Sequence, residues 1–143
     1  MNDIKIIHLI HFDGPGGVET GAKLAQQEFK NNINYEIRFI YNAGDNIIVK
    51  FIKFLKATKL LFKEIKGKEN HVILSSLWMP HIISFILKIL LKNMTWISFI
   101  HNSNYTNIIS YLICTKLTRL ADKQVFDSYS TAKAYNSKSI NRN

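Results

Sequence analysis

Short apolar runs, each followed by a turn and then by a stretch of helical periodicity, recur along this chain about every 25 to 30 residues. Residues 4–11, 35–41, 71–76, 95–101 and 123–127 read as strands. Residues 18–31, 47–66, 80–92, 106–121 and 128–136 read as helices, and Pro80 suits the first turn of the third. Strict alternation of strand and helix predicts a parallel sheet with helices on both faces. The runs IKIIHLI, HVILSS and TWISFI are continuously apolar, as expected of strands buried on both sides. The expected fold class is therefore α/β, a Rossmann-like doubly wound parallel sheet forming a single domain. Ligands of such sheets bind beyond the carboxyl ends of the strands. That rule marks the turns after His11, Tyr41, Ser76, His101 and Asp127.

Charge narrows the partners. The formal net charge is +9, carried by sixteen lysines and only three arginines. Nucleic-acid readers favour arginine for bidentate contacts, and no zinc spacing, RNP-type motif or helix-turn-helix pattern is present, so nucleic acid is not an expected partner. Residues 47–68 hold seven lysines and one glutamate, hence +6 of the +9. On a helix of 100° per residue, Lys53, Lys56, Lys59, Lys63 and Lys66 fall within an arc of about 140°. Phe51, Phe54, Leu55, Leu61, Phe62 and Ile65 take most of the opposite side, while Ile52 and Leu60 fall among the lysines. Such a stripe is either the solvated back of a core-packed helix or a contact with an anionic membrane, with Lys53, Lys56, Lys59 and Lys63 as the candidate contact residues. Residues 72–100 are apolar but interrupted by Pro80, His81, Lys88 and Lys92, which argues for buried soluble elements rather than a span. The single cysteine, Cys114, in a helical apolar pattern, reads as buried filler and suits a reducing compartment. With no basic leader at the N-terminus, the expected location is cytoplasmic, peripheral at the inner face of the plasma membrane if the lysine stripe binds lipid.

The turn Gly14-Pro15-Gly16-Gly17 stands between the first strand and the first helix. Glycines there let the backbone approach a ligand, and the helix N-terminus offers N–H groups and a positive dipole to phosphate. It is not a dinucleotide fingerprint, because Glu19 stands where the third glycine belongs, and it lacks the Lys-Ser/Thr of a P-loop. His101, at the end of the fourth strand and followed by Asn102 and Ser103, is the candidate for contact with a sugar hydroxyl or a developing charge. His11 has a weaker version of that role. His8 reads as a satisfied core residue, His71 lies at the wrong edge, and His81 is placed to face either way. Nothing in the pattern asks for a metal or a cofactor.

Taken in order, these segments resemble the N-terminal domain of family-4 glycosyltransferases, retaining enzymes built from two facing Rossmann domains. The resemblance rests on the opening strand running into Gly16-Gly17-Val18-Glu19, the helix with Leu24-Ala25, the fourth strand ending in His101-Asn102, Ala121-Asp122 before the fifth strand, and Ser128 after it. It implies that Gly16 and Gly17 face the donor diphosphate, that His101, with Asn102 beside it, sits near the transferred sugar and the acceptor, and that Ser128 lies at the cleft wall. His101 would be the catalytic residue, and Gly16, Gly17, Asn102 and Ser128 would bind substrate. The partners it implies are a nucleotide-sugar donor and a cell-surface glycan or lipid-linked acceptor. Residues 1–140 would be the acceptor-side domain and residues 141–143 the start of a linker to a missing donor-binding domain, without which the chain should not turn over. Two other readings stand beside this one: a non-catalytic, membrane-associated partner subunit of a split transferase, and a small nucleotide-binding protein of flavodoxin or response-regulator shape. The second lacks an acidic cluster, since Asp13, Asp45 and Asp127 stand apart in the sequence.

Overall fold

The computed structural model describes residues 4–101 and 107–140, with side chains through residue 136. Five strands, β1 (Lys5–Phe12), β2 (Asn34–Tyr41), β3 (His71–Ser76), β4 (Thr95–Ile100) and β5 (Lys123–Phe126), alternate with helices α1 (Gly17–Phe29), α2 (Ile47–Ile65), α3 (Trp78–Leu90), α4 (Ile108–Thr115) and α5 (Tyr129–Ile140). Every strand pair is parallel, and the lateral order is β2-β1-β3-β4-β5. The chain therefore reverses its direction of travel across the sheet between β1 and β3, the switch point where the carboxyl ends open a crevice. This is the expected α/β fold, a single Rossmann-like domain.

Register sorts the side chains by face. Ile7 and Leu9 of β1, Ile73 of β3 and Trp96 of β4 form one buried cluster with Leu61 and Ile65 of α2 and Ile83 and Leu87 of α3. The helix α1 packs on β1 and β2, where Phe29 meets Tyr35 edge-on on the opposite face. Coverage is unequal. On β4, Trp96, Ser98 and Ile100 are fully buried beneath α3, whereas Thr95, Ile97 and Phe99 on the other face are only half-buried. The expectation of strands buried on both sides thus holds for β1, where Ile7, His8, Leu9, Ile10 and His11 are all buried, and for one face only of β4. Tyr135 of α5 stacks edge-on with Phe126 and takes hydrogen bonds at its hydroxyl from Gln124 (2.8 Å). By register Phe126 and Gln124 share the face of Ile100 and Ser98, so α5 leaves Val125 on the α1 side 42% exposed.

Local chemistry sets the helix ends. The side chain of Asn46 accepts from the Val49 N–H (2.9 Å) to open α2, and Asn107 with Ser110 forms a reciprocal capping box on α4. The fourth helix is shorter than its apolar pattern predicts. It stops at Thr115 and continues as a 3-10 turn at Leu117–Leu120. Thr115 and Thr118 donate their hydroxyls to the carbonyls of Tyr111 and Cys114, a local alternative that loosens the helical ladder. The third helix starts two residues before Pro80, at Trp78, so proline occupies its third position. The first helix buries less than its pattern suggests: of Val18, Ala22, Ala25 and Phe29, only Ala22 is fully buried.

Ion pairs fix the frame. Glu64 of α2 receives Arg38 (2.5 Å) and Lys5 (2.9 Å), tying the C-terminal half of α2 to β1 and β2, and its carboxyl is held at about 2, chiefly by Arg38. Asp122 receives Lys88 (2.8 Å) and the Trp96 N–H (2.7 Å), which gives one residue of the Ala121-Asp122 pair a structural task. Cys114 is buried and its thiol is pushed up to about 12 by burial, as a filler residue should be.

Candidate functional site

The turns after β1, β3, β4 and β5 bring the Gly16-Gly17 turn, His11, His101 and Ser128 to the carboxyl edge of the sheet. At the switch point, Leu77 follows β3 as the N-cap of α3 with φ 72°, a left-handed conformation costly for a residue with a branched bulky side chain. That turn starts α3, and the Met79 N–H donates to Nε2 of His11 (3.0 Å). His11 stacks on Tyr41 and meets Trp78 edge-on. Burial pushes its pKa down to about 4, with Lys50 adding to the effect, so it is a neutral acceptor that caps the helix. The sequence placed His11 at this edge, and the structure gives it a fixed job there.

No side chain caps α1, whose N-cap is Gly16. Gly16 and Gly17 differ in what they permit. A Cβ on Gly16 would collide with Oε2 of Glu19, whereas a Cβ on Gly17 would meet open space. Glu19 is buried and folds back over the turn, so a carboxylate already lies beside the N-terminal dipole of α1. Any phosphate approaching this turn meets that negative charge. Glu19 stands out in the sequence only as the residue that breaks the dinucleotide fingerprint and as part of Gly16-Gly17-Val18-Glu19; its contact with Gly16 is seen in the structure. Glu three residues after a glycine N-cap was the available signal.

His101 follows β4 directly and is half-buried, with its ring 3.9 Å from that of Phe99. Its Nε2 lies 2.9 Å from Oγ of Ser76. Burial lowers its pKa, and Asp127 works in the opposite direction. His8 is a satisfied core residue, as its place inside a strand suggested: it bridges Ser76 (2.7 Å) and the hydroxyl of Tyr35 (2.5 Å). Burial pushes His8 down to about 4, with His101 second, and Tyr35 up to about 12. His81 faces inward, where Ser75 links its Nδ1 (2.8 Å) to the indole N–H of Trp96 (2.8 Å), and burial lowers it to about 3. Ser76 and Tyr35 carried no signal in the sequence, because their role depends on cross-strand register.

Ser128 is exposed, and its Oγ accepts from the Thr131 N–H (3.2 Å), so it caps α5 as well as standing at the sheet edge. Asn102 lies outside the described residues. Among the described residues, no group of three or more His, Cys, Asp or Glu side chains is arranged to hold a metal ion. The isolated acids are partly accounted for: Asp13 pairs with Lys23 and Asp45 with Lys53.

Pairing with Asp45 also removes Lys53 from the free stripe, leaving Lys56, Lys59 and Lys63 exposed on α2. The apolar side of α2 is wider than the core it covers. Leu61 and Ile65 are buried and Phe54, Ala57 and Phe62 pack beside them, but Ile47, Phe51 and Leu55 are each more than half exposed, as are Ile48, Ile52 and Leu60 toward the lysines. Ile108 and Ile109 at the start of α4 are exposed as well. Both helix starts lie at the carboxyl edge of the sheet. Among the described residues, no helix is long and apolar enough to cross a membrane.

No protein-family model matches the chain, and no curated protein matches it.

Proposed function

We propose that this chain is the acceptor-side half of a nucleotide-sugar-dependent glycosyltransferase, acting on a cell-surface glycan or a lipid-linked acceptor. The observation that carries the proposal is the convergence, on one sheet edge, of a glycine-rich helix start with open space beside Gly17, a half-buried histidine bonded to Ser76 and a serine-capped helix. In this reading Gly16 and Gly17 face the donor diphosphate, His101 with Asn102 contacts the sugar and acceptor, and Ser128 lines the wall. A second Rossmann domain, in the same polypeptide or another, supplies most of the donor affinity. The exposed apolar residues of α2 and α4, flanked by Lys56, Lys59 and Lys63, suit attachment to an anionic membrane where a lipid-linked acceptor resides. The location is then the inner face of the plasma membrane, reached from the cytoplasm.

A second reading is favoured by one observation. The order β2-β1-β3-β4-β5 is that of flavodoxin-like proteins, whose ligand sits at the β1/β3 switch point. Calorimetry separates the two. As the acceptor half, the chain alone binds UDP- or GDP-sugars at about millimolar Kd, about −4 kcal/mol. Micromolar binding of a nucleotide or flavin mononucleotide by the chain alone would favour the flavodoxin-like reading and place the main site in this domain.

A further inference from the structure

One residue from each of four adjacent strands meets in a single hydrogen-bonded line: Tyr35 on β2, His8 on β1, Ser76 on β3 and His101 after β4. Register explains the line. Tyr35 pairs with Ile6, His8 with Leu74, and Ser76 with Phe99, so each step moves one strand across and two residues toward the carboxyl edge. Diagonal neighbours of this kind lie on one face, within reach of aromatic and imidazole side chains. The line starts beneath α1, where Phe29 packs on Tyr35, and ends at the candidate ligand residue.

The polarity of the line follows from the donors available. A serine has one O–H to give, so of two histidines at Oγ one must accept that proton and the other must donate its own. Phenol is a stronger acid than neutral imidazole, so in the 2.5 Å contact Tyr35 donates to Nδ1 of His8. His8 then carries its proton on Nε2 and donates it to Ser76. Ser76 in turn donates its O–H to Nε2 of His101. A neutral His101 that accepts at Nε2 must hold its proton on Nδ1.

We propose that Tyr35, His8 and Ser76 are positioning residues that fix His101 as its Nδ1–H tautomer, so that the ring presents a hydrogen-bond donor, not a base, to an oxygen of the bound ligand. The identity of that ligand rests on the proposed transferase function; the tautomer does not. With Nε2 occupied by Ser76 and Nδ1 protonated, His101 has no lone pair with which to take a proton from an incoming hydroxyl. Its role is to steady an oxygen, as a sugar hydroxyl or phosphoryl oxygen requires, and deprotonation of an acceptor falls to another group.

The test is nitrogen NMR of the full chain with 15N-labelled histidine at neutral pH, where protonated and bare ring nitrogens give separate signals. The expected wild-type pattern is a protonated Nδ1 and bare Nε2 on His101, and the reverse on His8. Tyr35→Phe removes the first donor, and His101 should exchange its pattern toward Nε2–H while the amide spectrum stays folded. If Tyr35→Phe does not fold, Ser76→Ala, which removes the last link, should produce the same exchange. A wild-type His101 protonated at Nε2 overturns the proposal. So does a His101 pattern unmoved by the folded variant, which would mean that the line packs the sheet without setting the tautomer. Absence of sugar transfer in any assay leaves this measurement untouched, so the two failures are distinguishable.

Discussion

Lowering the pH from about 7.5 to about 5 should destabilise this domain sharply, because its histidines are held neutral by burial. Each of His8 and His11 drops from 6.5 to about 4 on folding, and His81 from 6.5 to about 3. A depressed pKa contributes stability that is fully present above the unfolded value and is lost as pH falls toward the folded value. The window therefore runs from about 6.5 down to about 4 for His8 and His11 and to about 3 for His81. At about 1.4 kcal/mol per pH unit, each ring removes about 2 kcal/mol by pH 5, and the three together about 6. An ordinary domain has about 5–15 kcal/mol in all, so the loss is large. Down to about pH 5 the carboxylates add little to the loss: Glu64, held at about 2, loses its contribution below its unfolded value of 4.5. Urea titrations followed by circular dichroism read the effect directly. With a slope of about 2 kcal/mol per molar urea, the midpoint should fall by about 2–3 M between the two pH values. His11→Gln keeps an acceptor for the Met79 N–H but cannot ionise, and should recover one ring's share of the loss. A midpoint that does not move between about pH 7.5 and 5 would show that these rings are hydrated, and would refute the reasoning.

Two further outcomes are expected. Vesicles containing anionic lipid should bind the chain in a salt-sensitive way, since exposed charges are screened over about 10 Å at 0.1 M. Lys56→Gln, Lys59→Gln and Lys63→Gln together, or Ile48→Ser with Phe51→Ser, should abolish that binding, and unchanged co-sedimentation would return α2 to an ordinary solvated face. Gly16→Ala should cost about 1 kcal/mol by displacing the Glu19 carboxylate, and Glu19→Ala in the same chain should remove most of that penalty, a coupling that thermal denaturation of the cycle can read. Additive losses would mean that the two residues do not touch.

The alternation of strands and helices was legible because each apolar run is short, dense and bounded by turn residues. The lateral order of the strands was not, since periodicity along a chain says nothing of which strand lies beside which. The same limit hid the line from Tyr35 to His101: a tyrosine at the start of one strand and a serine at the end of another carry no mark until register brings them onto one diagonal. His101, Gly16 and Gly17 were legible from position alone, at the end of a strand and the start of a helix. The width of the apolar arc on α2 was legible too, but which part of it the core covers depends on α3 and β2, so the exposure of Phe51 and Leu55 was not. Thr115 and Thr118 break the fourth helix by bonding their own backbone, a competition that apolar spacing does not register.

The most direct test of the proposed function is a sugar-transfer assay on this chain joined to a donor-binding Rossmann domain, comparing His101 with His101→Ala. Transfer by the joined protein is expected, with His101→Ala lowering kcat by about tenfold or more while donor affinity changes little, as for a group that acts mainly in the transition state. Full activity of His101→Ala would contradict the role given to that residue, and failure of every joined protein to transfer sugar from any nucleotide-sugar donor would contradict the transferase itself.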